Sequence, residues 1–142
     1  MNPILRILTI ALTLLFSGCS VKEADIHATD REPKAYESAS VLTMGDGALL
    51  DHLQSLADEM SQATQNQQFA EMHHLEIALT KALNALEAKS TANLKPTIGT
   101  LKIIAAKIHG VGHDQNESMA NTLNNTLQDQ VAQLKRAYES AP

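Results

Sequence analysis

From residue 46 to the C-terminus, apolar residues recur every three or four positions, and the positions between them are polar. The first run is Leu49, Leu53, Leu56, Met60 and Ala63. At about 100° per residue these fall on one side of a helix, and Gln54, Asp58, Glu59 and Gln62 fall mostly outside it. A second run, Phe69, Met72, Leu75, Leu79, Ala82 and Leu86, predicts a helix over Phe69 to Lys89. A third, Ile98, Leu101, Ile104, Ala105 and Ile108, predicts one over Pro96 to His109, with Pro96 suited to a first turn. The fourth is Ala120, Leu123, Leu127, Val131, Leu134 and Tyr138, opposite a face rich in Asn, Gln and Thr that is expected to be solvated. The connections Gln65-Asn66-Gln67 and Ser90 to Lys95 are short and polar, as between antiparallel neighbours. Together these features predict an all-α fold, an antiparallel up-down-up-down four-helix bundle over residues 46–142.

Caps refine the boundaries. Asp46 is the expected N-cap of the first helix. Asp114 and Glu117 have the spacing of a capping box at the head of the fourth. Gly110 and Gly112 are expected to loosen the end of the third helix and supply its C-cap, so its continuation to His113 is left open.

Upstream of the periodic region the pattern changes. Arg6 is followed by the uncharged apolar run Ile7 to Phe16, too short to span a bilayer. Then comes Leu15-Phe16-Ser17-Gly18-Cys19, which resembles the lipobox of bacterial lipoproteins, with Phe16 where that family usually has Leu. The resemblance implies a signal peptide over residues 1–18 and a lipid-modified Cys19 as the mature N-terminus. Several acyl chains on one residue anchor durably where one chain does not. Ser20, rather than Asp, after Cys19 implies the outer membrane of an enteric-type cell, with the chain facing the periplasm. Residues 19–45 lack helical periodicity, mix charges with Pro33, Ser38 and Ser40, and read as a tether.

Charge and composition narrow the partners. Without Arg6 the chain carries ten Lys and Arg against sixteen Asp and Glu. That balance disfavours nucleic acid and electrostatic docking on anionic lipid, so attachment to a membrane falls to Cys19. Past the tether the only aromatics are Phe69 and Tyr138, which leaves nothing for stacking bases or sugars. A single Cys allows no internal disulfide. The chain contains no Gly-x-Ser-x-Gly, no phosphate-cradling glycine loop and no Cys-x-x-Cys-His. An enzyme is therefore not expected, and an envelope protein partner is.

The candidate chemistry comes from register. Reflection about the turn at residues 91 to 93 sets His73 level with His109 to His113. Reflection about Gln65-Asn66 sets Met60 beside Met72 and His73, and reflection about Asp114 sets Met119 level with His109. His73, His109, His113, Met60, Met72 and Met119 are thus candidate ligands sharing about one layer. Imidazole and thioether suit copper, and imidazole alone suits zinc, nickel or haem iron. In the alternative, Met fills gaps in an aliphatic core and His lies at a surface edge. On the wheel His73 sits at the edge of the apolar stripe, His74 points away from it, and Glu76 lies close enough to it to need a partner. Glu71-x-x-His74 has the di-iron spacing once, facing away from the stripe, and is set aside.

In shape the domain resembles small periplasmic four-helix proteins of the cytochrome b562 type, to which Leu134-Lys135-Arg136-Ala137-Tyr138 is similar. Their haem site needs a His in the last helix, which this chain lacks. Met72-His73-His74-Leu75 and Ile108-His109 are also similar to segments of uncharacterised periplasmic helical proteins. That likeness implies a pairing of His73 or His74 with His109 and no particular activity.

Overall fold

The computed structural model describes residues 39–140. A short 3-10 turn, Ala39–Thr43, leads into four helices: α1 Asp46–Gln65, α2 Phe69–Lys89, α3 Lys95–Asp114 and α4 Glu117–Glu139. Helix α1 packs on α2 and α4, and α3 packs on α2 and α4. With short turns between consecutive helices, the four therefore form the expected antiparallel ring. Among the described residues there is no strand, and no helix is long and apolar enough to cross a membrane.

The stripes read from the sequence supply the core. Leu49, Leu53, Met60, Leu79, Leu86, Ile98, Leu101, Ile108, Leu127 and Leu134 are all sealed from solvent, and each such side chain contributes about 1.5–3 kcal/mol by its burial. Val41 in the 3-10 turn is equally buried, and the turn rests on α2. Packing thus begins ahead of residue 46, inside the stretch read as tether. Helix α2 has a wider buried arc than one stripe, with α1 along one side of it, α3 along the other and the 3-10 turn resting on it. Met72, His73, His74, Leu75 and Glu76 are buried consecutively, so His74 does not point away into solvent.

The helix ends depart from the sequence reading in three places, and the expected turn after α1 takes a specific form. The N-cap of α1 is Gly45, with no side-chain cap, and Asp46 falls within the first turn, where its charge suits the helix dipole. Helix α1 ends in a Schellman turn: Gln68 N–H donates to Ala63 O at 2.8 Å and Gln67 N–H to Thr64 O at 3.1 Å. Gln67 takes the left-handed conformation at φ 54° that glycine usually supplies. Helix α3 runs through Gly110 and Gly112 to Asp114 and ends on Gln115, left-handed at φ 52°. The N-cap of α4 is then Asn116, whose side-chain oxygen accepts from Met119 N–H at 3.0 Å. The Asp114–Glu117 capping box therefore does not form, since Asp114 belongs to the preceding helix.

Gly112 has a packing role. A Cβ there would lie 3.1 Å from His73 Cβ and 3.2 Å from Phe69 O, whereas one on Gly110 would meet nothing within 4 Å. The last turn of α3 thus lies directly against the first turn of α2, and a methyl group there would require the two helices to give by a few tenths of an ångström. The polar face of α4 is not wholly solvated either. Asn124 is buried, its amide 3.4 Å from Ser61 Oγ, and Gln128 donates to Ala57 O at 2.6 Å.

The two glycines should respond oppositely to alanine. Gly112→Ala forces α2 and α3 apart and should destabilise the protein by about 1–3 kcal/mol. Gly110→Ala, in an open helical position, should stabilise it by up to about 1 kcal/mol. Denaturant unfolding of the two variants side by side checks this.

Candidate functional site: a three-histidine cluster at one end of the bundle

Because α3 continues as a helix, His109 and His113 stand one turn apart on the same face. Because Gly112 admits α2, His73 meets them both. The His73 ring lies 4.4 Å from that of His109 and 5.1 Å from that of His113, and the latter two are 5.0 Å apart, centroid to centroid. One ring nitrogen from each of the three falls within 4.8 Å of the other two. His73 is buried, at 2% exposure, while His109 and His113 face solvent. The cluster therefore has a fixed buried member and an open side. His74 contacts His73 edge-on at 5.8 Å but is not part of the cluster.

Behind His109 stands Glu76, the carboxylate whose position near the apolar face called for a partner. It has two. Glu76 Oε2 lies 3.2 Å from His109 Nδ1, and Thr80 Oγ1 donates to Glu76 Oε1 at 2.8 Å across one turn of α2. An ionised carboxylate only accepts, so the neutral His109 tautomer that fits this pair carries its proton on Nδ1 and presents its lone pair on Nε2. Three neutral imidazoles with one lone pair each, drawn from two rigid helices, make a nitrogen donor set for a transition-metal ion.

The methionines are placed differently from the histidines. Met60 and Met72 are fully buried, and Met72 Sδ lies 3.8 Å from Thr64 Oγ1, on the side of α1. Met119 is 47% exposed. It sits in the first turn of α4, where register sets its level along the bundle but not its face, and that face is outward. Glu71 is exposed while His74 is buried, so the two do not share a direction. Cys19, the expected lipid attachment point, lies outside the described residues. Sequence reasoning named Glu76 but not Thr80; the i, i+4 spacing of the two on α2 was the available signal.

The chain was compared with protein-family models, with curated proteins and with solved structures, and nothing matched it.

If Met60 and Met72 serve as packing, leucine at either position conserves volume and should change stability by less than about 1.5 kcal/mol. The imidazole resonances of His73, His109 and His113 should also keep their positions. Denaturant unfolding and histidine ring NMR on both variants measure the two effects.

Proposed function

We propose that this chain is a lipid-anchored, non-catalytic binding protein of the bacterial cell envelope whose bundle holds a transition-metal ion between His73, His109 and His113. The observation that carries the metal assignment is the convergence of three ring nitrogens within 4.8 Å of one another. A tetrahedral zinc ion bonded at 2.0–2.1 Å needs its nitrogens about 3.3 Å apart. The cluster is therefore wider than a closed site by up to roughly 1.5 Å, so the three ring nitrogens draw together when an ion binds.

The location has separate support. The apolar run and the Ser17-Gly18-Cys19 motif have the form of a cleaved and lipidated leader. In this reading the segment ahead of the bundle spaces the site from an outer-membrane surface into the periplasm. An accessory role, in which the acidic bundle docks on another envelope protein, is compatible with the same anchor. The histidine cluster is the feature that favours metal over docking alone.

Calorimetric titration of the full chain with Zn(II), Cu(II) and Ni(II) tests the site. One equivalent should bind, and the His73→Ala/His109→Ala double variant should lose it while keeping its helical content. Unchanged binding in the double variant sinks the assignment. Cys19→Ser, expressed in a Gram-negative host, should move the protein out of the membrane fraction and abolish incorporation of labelled palmitate. A variant still in the membrane fraction and still labelled refutes the anchor.

A further inference from the structure

We infer that Glu76, steadied by Thr80, is the positioning carboxylate of this site, that it makes His109 an Nε2 ligand, and that it tunes the site to a divalent rather than a monovalent ion. The inference rests on the metal assignment proposed above and specifies which class of ion the site takes.

Three features of the structure support it. The first is the line of contacts from Thr80 Oγ1 through Glu76 to His109 Nδ1, at 2.8 Å and 3.2 Å. In metal sites the ring nitrogen that does not bind the ion commonly donates to a carboxylate, which fixes the tautomer, holds the ring in place and raises the basicity of the binding nitrogen. Here the carboxylate is itself buried and anchored from its own helix, so it has little freedom to turn away.

The second is charge. Neutral imidazoles bring no charge to an ion, and Glu76 supplies one negative charge directly behind a ligand. Its attraction for an ion of charge two is twice that for an ion of charge one at the same place. The third is the absence of sulfur from the cluster among the described residues. Soft monovalent ions such as Cu(I) select thiolate and thioether donors. Met72 sulfur is turned to Thr64, Met60 is sealed in the core, and Met119 is exposed on α4. The donor set is nitrogen throughout, which suits Zn(II) or Cu(II).

The test uses the full chain in detergent, with zinc chloride and silver nitrate as the divalent and monovalent probes, on the wild type, Glu76→Gln and Glu76→Ala. Zinc affinity should fall about ten- to a hundredfold in Glu76→Ala. Silver affinity should fall only by about the square root of that factor, roughly three- to tenfold, because half the charge is felt. Glu76→Gln keeps an acceptor for Nδ1–H but loses the charge, so its zinc loss should be smaller while the preference for zinc over silver still narrows. Should Glu76→Ala fail to fold, as judged by its thermal melt, the near-isosteric Glu76→Gln carries the comparison. Nitrogen-15 spectra of the ion-free protein give a readout independent of binding. His109 should carry its proton on Nδ1 in the wild type and in Glu76→Gln, and lose that preference in Glu76→Ala.

Equal losses for zinc and silver would mark Glu76 as merely structural and overturn the inference, as would unchanged zinc affinity or an Nε2-protonated His109 in the wild type. Those outcomes leave the three-histidine site standing. Failure of the wild type to bind zinc or silver removes that site, and the inference with it.

Discussion

The end of the bundle that carries the histidines depends on one close approach, the packing of Gly112 against the first turn of α2. Its missing side chain leaves 3.1 Å between an imagined Cβ and His73 Cβ. Any larger residue would push the last turn of α3 outward, and the distance from His73 to His109 and His113 would open with it. The core elsewhere is aliphatic and tolerant, since leucines of similar volume can be exchanged within it. This contact is different, because nothing smaller than glycine exists and nothing larger fits without movement.

That constraint accounts for one of the two glycines near the end of α3, although both weaken a helix. Gly110 has open space and carries only the propensity cost. Gly112 returns tertiary contact for that cost. The helix survives both because Ile104, Ile108 and Val111 remain buried along its inner face, and packing of an amphipathic face outweighs local propensity. It then stops at Gln115, a left-handed residue without glycine's freedom. Gln67 does the same at the end of α1. Both turns lie at the histidine end of the bundle.

Much of this was legible in the sequence. Four apolar stripes with short polar connections specify four antiparallel helices, and antiparallel register alone sets His73 level with His109 and His113. What periodicity could not convey was the identity of each neighbour. Gly112 reads as a helix stop unless the residue facing it is known. Met119 is at the right level, but its outward direction follows from the rotation of α4, which the Asn116 cap and the Gln128 and Asn124 contacts with α1 hold in place. His74 is buried as well, on a side of α2 that a single-stripe wheel assigns to solvent. Asp114 was misassigned for a related reason: an acceptor three residues before a Glu is a cap only if the preceding helix has already ended.

Among the described residues, the three rings of the cluster and the Glu76 and Thr80 behind His109 all belong to α2 and α3. Glu76 and His109 are separated by 33 residues, a modest span for a tertiary contact, and α1 and α4 contribute no ring to the cluster. Short-range contacts of this kind close early, because little chain entropy is lost in forming them. The central hairpin alone holds the three imidazoles and their carboxylate. Packing of α1 and α4 seals Met60 and Met72 in the core beside this hairpin, so the part of the chain that carries the rings is separable in sequence from the part that encloses the core.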